Sequence, residues 1–276
     1  MTEEWAPQGI DVTKPSVARV YDAALGGKDN FEVDRVALAQ LAEGMPEVLE
    51  MAKINRATLG RAVRVMAGEL GVRQFLDLGA GLPSAENTHQ VAQAIAPESR
   101  VVYVDKDPIV LAHGRALLAE DDRTAVITAD LREPASVLKQ PQVTGLIDFE
   151  QPVGVMLVAI LHHLHDDEDP KGLVDAYMDA VPPGSPVFIT HFCDFSPVAE
   201  SLQEKFLRLL GTGRFRTPEE ITAYFDGYEL LEPGVVPNPY WRPDGRASGG
   251  RASGGPTPGK LRVAEQLHYT GMAIKK

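Results

Sequence analysis

Hydrophobic residues recur along this chain at two spacings, and the change from one to the other divides it near residue 70. Before that point the spacing is helical. Asp34–Glu43 carries Val36, Leu38 and Leu41 on one side, and Val48–Leu70 carries Ile54, Leu59, Val63 and Met66 before Gly71 stops it. A shorter helix runs from Pro15 to Asp22 and is broken by Gly26-Gly27, while residues 1–15, interrupted by Pro7, Gly9 and Pro15, read as a loose arm. From Arg73 onward short apolar runs alternate with helical segments. The pattern predicts strands at Arg73–Leu78, Arg100–Val104, Ala125–Ala129, Gly154–Ile160 and Pro186–His191. Helices are predicted at Glu86–Ala96, Pro108–Glu120, Pro134–Lys139 and Lys171–Val181. Repeated βα units imply a parallel sheet with right-handed crossovers, and the nearly unbroken apolar run at 154–160 suits a strand buried on both faces. Val198–Leu210 is then an amphipathic helix, Thr217-Pro-Glu-Glu220 opens another with a capping box, and strands follow at Tyr228–Leu231 and Gln266–Ile274. Between those strands a duplicated Gly-Arg-Ala-Ser-Gly-Gly has no core to bury, so 243–260 is expected to be a flexible Gly/Ser/Arg-rich loop.

Composition narrows the class. A length of 276 residues suits one large α/β domain with an extension, or two small domains. No apolar run approaches the roughly 20 residues that cross a bilayer, and the acidic N-terminus lacks the regions of a signal peptide, so no membrane partner is expected. The single cysteine, Cys193, excludes an intrachain disulfide and is compatible with a reducing cytoplasm. A net charge of −12 argues against a broad nucleic-acid footprint. Lys53, Arg56, Arg61 and Arg64 recur on one predicted helix with Glu50 and Glu69 nearby, the pattern of a solvated face rather than an anion site.

The chemistry centres on Phe75-Leu-Asp-Leu-Gly-Ala-Gly81, a strand running into a glycine loop, and on Asp105, which ends the next strand. Such an arrangement holds an adenosine-containing cofactor: glycines admit the ligand close to the backbone, and the carboxylate accepts from ribose hydroxyls. Asp130 ends the third strand at the same sheet edge, where it can meet an adenine amino group or serve as a turn carboxylate. Ser84 stands where a pyrophosphate-binding loop has its third glycine. S-adenosylmethionine has no phosphate, and Asp77 can pair with the ammonium of its methionine tail, so the loop favours that cofactor over NAD.

Several stretches resemble the actinobacterial S-adenosylmethionine-dependent methyltransferases once catalogued as a domain of unknown function. They are Pro15-Ser-Val-Ala-Arg-Val-Tyr-Asp22, Leu25-Gly-Gly-Lys-Asp-Asn-Phe31, Arg73–Pro83, Val102–Pro108, Ala159-Ile-Leu-His-His-Leu164 and Phe215–Ile221, spaced so that the resemblance extends over nearly the whole chain. The resemblance implies an α/β fold, a class I methyltransferase-like doubly wound sheet of seven strands with the last antiparallel, and an N-terminal helical extension. It divides the chain into an arm and helical lid at 1–70 and a Rossmann-like methyltransferase domain at 71–276. It implies S-adenosylmethionine as cofactor, with Asp77, Gly79, Ala80 and Gly81 at the methionine end, Asp105 on the ribose, and Lys106 along the adenine. Asp130 and Leu131 would meet the adenine edge, Ala159 and Ile160 would close the floor, and Tyr21, Gly27, Lys28 and Asn30 would form a lid. For Lys28 and Asn30 the alternative is plain turn chemistry after two glycines.

His162 or His163, at the carboxyl end of the fourth strand, is the candidate general base facing a methyl acceptor, with a polar rim histidine as the alternative. With His165, Asp166 and Asp167 they suggest a metal set, but the segment has no tight ligand signature and no metal is expected. No Gly-x-Ser-x-Gly elbow occurs, and Cys193 has His191 two residues away on the same strand face, a spacing that does not by itself pair them. Phe206, Phe215, Tyr224 and Phe225 either form an acceptor pocket or pack the core. The expected function is methyl transfer to a small molecule. The alternatives are a non-catalytic S-adenosylmethionine-binding protein and an NAD-linked oxidoreductase, whose short-chain form would need a Tyr-x-x-x-Lys pair that the chain lacks.

Overall fold

The computed structural model describes residues 10–84, 86–117, 122–244 and 261–276, with side chains at all of these except 115–117. Three helices come first: α1 (Val17–Ala24), α2 (Glu32–Ala42) and α3 (Glu47–Arg64), the last extended by a π turn at Val65–Glu69. The alternating region follows as β1 (Gln74–Leu78), α4 (Thr88–Ile95), β2 (Arg100–Asp105), α5 (Pro108–Leu117), β3 (Thr124–Thr128), α6 (Pro134–Val137), α7 (Pro141–Leu146), β4 (Gly154–Val158), α8 (Pro170–Asp179) and β5 (Pro186–Phe192). The chain then continues through α9 (Pro197–Leu210), α10 (Pro218–Ala223), β6 (Glu229–Leu230), β7 (Val236–Pro237), α11 (Val263–Gln266) and β8 (His268–Ile274).

The strands form one sheet in the order β3-β2-β1-β4-β5-β8-β6, with β7 paired to β8 along the edge that β6 shares. β1 to β5 are parallel, and β8 runs antiparallel to β5 from Pro186↔Ile274 to Phe192↔His268. Seven strands thus stand in one row with the chain's last strand, β8, antiparallel as expected, and β7 is an eighth that two residues of pairing were too short to announce. Strand residues feed two cores by alternation. Leu76, Val102, Val104, Val155, Leu157, Val187 and Ile189 point to the face covered by α6, α7 and α8, and Phe75, Val101, Tyr103, Met156 and Phe188 point to the face covered by α3, α4 and Trp241. A third core joins α1, α2, α3, α9 and α11 at one end of the sheet.

Two predicted boundaries move, and one helix stands where none was expected, each for a physical reason. The helix expected from Glu86 starts at Thr88, because Asn87 caps it: Ser84 N–H donates to Asn87 Oδ1, and Asn87 N–H donates to Gln90 Oε1. β4 stops at Val158 because Ala159 adopts φ +53°, held by its N–H donating to Thr190 O and Thr190 Oγ1; Ala159 and Ile160 therefore sit in a turn at the sheet's carboxyl edge rather than in a strand. α7, with Thr144 and Gly145 inside it, has little intrinsic helix preference and exists because Val143 and Ile147 pack into the first core. Of the loop expected over 243–260, all but Pro243 and Asp244 lies outside the described residues. No helix among the described residues is long and apolar enough to cross a membrane.

Candidate functional site

The strand order reverses between β1 and β4, and the carboxyl ends of the strands open there into a crevice, the usual ligand position in such sheets. A cavity of about 1010 Å³ fills it. One wall comes from the sheet edge, with Asp77, Gly79, Ala80, Gly81, Asp105, Lys106, Asp130, Leu131, Ala159 and Ile160. The opposite wall comes from the arm and α1 to α3, including Tyr21, and α9 contributes Phe206 and Leu210.

The β1 loop is shaped by close approach. Gly79 has φ +70°, its N–H donates to Val104 O at 2.8 Å, and a Cβ built on it would stand 2.4 Å from Ile160 Cγ1. Glycine is needed there on both counts. Gly79→Ala is expected to lower stability by about 1–3 kcal/mol, from left-handed strain and displacement of Ile160. Gly145→Ala, where a Cβ meets nothing within 4 Å in α7, should be neutral or stabilising. Thermal unfolding of the two variants checks the contrast.

Three carboxylates stand along the edge, each differently held. Asp77 is buried and accepts from Thr88 Oγ1 at 2.6 Å; burial raises its pKa to about 6, against the pull of that hydrogen bond and of the Arg56 guanidinium. Asp105 accepts from Gly81 N–H through Oδ2 (2.8 Å) and from Asp107 N–H through Oδ1 (2.9 Å), and burial likewise raises its pKa. Asp130 is chelated by Arg132, whose Nε lies 2.9 and 3.0 Å from its two oxygens, and that pairing holds the carboxyl below its usual range. Arg132 in turn reaches Glu168 at 2.8 Å.

Of the residues predicted for a lid, Tyr21 reaches the cavity, its hydroxyl donating to Ala52 O and accepting from Asn55 Nδ2. Gly27, Lys28 and Asn30 do not line it. They form a turn around Asp22, which accepts from Asp29 N–H at 2.9 Å and from Asn30 Nδ2 at 2.8 Å. A Cβ on Gly27 would lie 1.9 Å from Asp22 Oδ1, so this glycine is required by the carboxylate packed on it. Lys28 is exposed. Turn chemistry, the alternative weighed for this run, is what positions these residues.

His162 and His163 both line the cavity. His162 is enclosed by rings, with centroids at 4.2 Å to His163, 4.6 Å to Phe192 and 5.6 Å to His191. Burial pushes its pKa well below the ordinary value and pushes that of His163 down to about 3, with the Lys106 charge assisting at His163. Both rings are therefore neutral at pH 7, which makes them weak bases and good hydrogen-bond acceptors. The Nδ1 atoms of both are buried without a partner among the described residues. Behind them His191 donates from Nδ1 to Phe192 O, so its Nε2 accepts from Arg216 Nη1 at 3.1 Å. His165 is exposed, away from these rings.

The basic residues of α3 do not share a solvated face. Arg61 is 4% exposed and donates to Trp241 O, Asn238 O and Thr58 Oγ1, and only Lys53 of the four is exposed. Arg56 lines the cavity, donates to Asn87 Oδ1 at 2.7 Å and lies close enough to Asp77 to lower its pKa. Helical spacing carried no signal of either placement, because Arg61 is covered by Asn238 and Trp241 and Arg56 reaches Asn87, all outside the helix. Among the aromatics, Phe206 reaches the cavity while Phe215, Tyr224 and Phe225 are core residues.

Comparison with known proteins agrees with this geometry. A family model described as S-adenosyl methyltransferase matches residues 3–276. The crystal structure of a candidate methyltransferase from Thermobifida fusca is 49% identical, with a TM-score of 0.92 and coverage of 99% of both chains. A DUF574 family protein from Streptomyces avermitilis is 35% identical, with a TM-score of 0.88 over 96% of this chain and 99% of that one. An O-methyltransferase family 2 protein from Planctomyces limnophilus shares the fold at 16% identity and a TM-score of 0.50, over 93% of this chain and 65% of that one. The chain belongs to the S-adenosyl methyltransferase family, and its cofactor is S-adenosylmethionine.

Proposed function

We propose that the cavity binds S-adenosylmethionine along the sheet edge and that the protein methylates a small molecule entering from the helical side. The observation that carries this reading is the pairing of opposite charges at one end of the crevice. Asp77 offers a carboxylate to the ammonium of the methionine tail, and Arg56 beside it offers a cation to the tail's carboxylate. Asp105 takes the ribose hydroxyls with the oxygen lone pairs its two loop N–H groups leave open. Lys106, Leu131 and Asp130 border the adenine, with Asp130 kept ionised by Arg132. Gly79, Ala80, Gly81, Ala159 and Ile160 close the floor. Bound there, the cofactor supplies an electrophilic methyl group on a sulfonium. What the chain contributes is orientation and exclusion of water, and residues 1–70 act as the lid over the Rossmann-like remainder, 71–276. The buried Cys193 thiol and the net charge of −12 suit a cytoplasmic enzyme without a nucleic-acid partner.

Calorimetric titration with S-adenosylmethionine, S-adenosylhomocysteine and NAD across pH tests it. The free Asp77 carboxyl titrates near 6, and a bound ammonium stabilises its ionised form, so binding below that pH must expel a proton. Affinity for the first two ligands is expected to be flat above about pH 7 and to fall by up to about tenfold per unit below 6. In the free protein the sign is opposite: a raised carboxyl pKa removes stability as pH climbs through 6, and the cofactor's ammonium restores it. Asp77→Asn should bind more weakly with no such slope. Binding of NAD alone, or one slope for both proteins, defeats the reading. Release of S-adenosylhomocysteine only when acceptors are added separates an enzyme from a binder.

A further inference from the structure

The cavity has two chemically distinct ends. Its charged side chains come from the sheet-edge loops, the arm and Arg56. The end between α2, α3 and α9 is lined by Leu41, Val48, Met51, Phe192 and Phe206, which form one contiguous apolar cluster with no charge among them. Arg19 borders this region from α1, but its guanidinium is taken up by Asp34 and by the carbonyls of Asp11 and Lys14. At about 1010 Å³ the whole lies at the upper end of the range for single-ligand pockets, so a second molecule has room beside the cofactor.

Two imidazoles stand where the ends meet. His162 is 1% exposed and backs onto Phe192, Phe215 and His268. His163 is half-buried, with Phe206 at 6.3 Å on one side and Lys106, of the cofactor edge, near enough on the other to influence its charge. Its backbone is fixed by Thr212 Oγ1 donating to His163 O at 2.8 Å, and its Nδ1 has no partner among the described residues. Because His163 lines the cavity, its ring is placed to accept a hydrogen bond from a ligand there.

We propose that the apolar end holds the methyl acceptor, and that this acceptor is a neutral, largely apolar molecule bearing a hydroxyl group that donates a hydrogen bond to the His163 ring. The inference rests on the methyltransferase reading above. A charged acceptor would leave its charge unpaired among Leu41, Met51 and Phe206, at a large desolvation cost. In the transfer the acceptor oxygen forms its bond to the methyl carbon, the carbon–sulfur bond breaks with its electron pair left on sulfur, and the hydroxyl proton passes to a His163 ring nitrogen. An alkylated oxygen that still carries its proton is a far stronger acid than any imidazolium. A ring kept neutral by burial can therefore take the proton late in the step and lose it to water afterwards.

The test is titration of 2-naphthol, 2-methoxynaphthalene and 2-naphthoate into protein saturated with S-adenosylhomocysteine, for wild type and for His163→Phe. In the wild type 2-naphthol should bind about tenfold more tightly than either comparator, the methoxy compound lacking the donor and the naphthoate adding a charge. In H163F the advantage over the methoxy compound should vanish while S-adenosylhomocysteine is still taken up. Tighter binding of naphthoate overturns the proposal. So does a hydroxyl preference that survives in H163F, or no uptake of naphthol by protein that does bind S-adenosylhomocysteine. Failure to bind S-adenosylhomocysteine at all strikes instead at the cofactor reading beneath it.

Discussion

Asp105→Asn is expected to weaken S-adenosylmethionine binding by about 100-fold or more, the largest effect of any single change at the sheet edge. Each hydrogen bond to a carboxylate is worth roughly 1.5–3 kcal/mol, and in the proposed binding mode two ribose hydroxyls share this one. The substitution also damages the loop itself. Asp105 accepts from the N–H groups of Gly81 and Asp107 at once, so an amide of the same shape must turn its NH₂ toward one of them, donor against donor. Gly81 lines the cavity, so the disturbance reaches the methionine end as well. Lys28→Ala is the control: its side chain is exposed and outside the cavity wall, and affinity should stay within about twofold of wild type. Calorimetry on the two variants decides. Comparable losses would place the cofactor against the turn at 26–30 instead, and unchanged affinity in D105N would remove Asp105 from the site.

What the sequence made legible and what it hid follow from how far each structural cause lies along the chain. The parallel strands were readable because alternation is local: Phe75 and Leu76 already declare two buried faces. The glycine loop and Asp105 were readable because strand, loop and next strand lie within about thirty residues of one another, as in βαβ units generally. Arg56 and Arg61 were not. Charges at helical spacing look solvated, and what buries Arg61 is the carbonyl pair of Asn238 and Trp241, about 180 positions away. The ring cluster around His162 is assembled from β5, β8 and α9, so no local pattern marks His191 or His268 as its members. The Gly-Gly-Lys-Asp-Asn run is a contrasting case. It is a specific pattern, but the constraint that explains it is Asp22, already in the preceding helix, and the run shapes a turn without lining the cavity.

That turn leads into α2, where a buried ion pair connects fold to site. Arg19 Nε donates to Asp34 Oδ2 at 2.8 Å with the two side chains 3% and 0% exposed. Asp34 also accepts from Ser16 N–H and Phe31 N–H, while Arg19 stacks over the Phe31 ring and donates to the carbonyls of Asp11 and Lys14. One pair therefore closes α1 on α2 and ties down the arm, whose residues Asp11, Lys14 and Ser16 line the cavity. Asp34→Ala leaves a guanidinium buried without its counter-charge and two N–H donors unmet, for which a loss of about 3–5 kcal/mol is expected. For a chain of this size that corresponds to a fall in Tm of roughly 6–15 °C. Removing both charges together, as in Arg19→Met with Asp34→Leu, should cost less than Asp34→Ala alone, because no charge is stranded. Denaturant unfolding of the single and double variants measures the difference. Cofactor titration then distinguishes a latch from mere packing: the double variant should regain stability yet bind S-adenosylmethionine more weakly than wild type, since nothing in it holds the carbonyls of Asp11 and Lys14. Full recovery of affinity along with stability would show that the pair only stabilises the fold and does not shape the cavity wall.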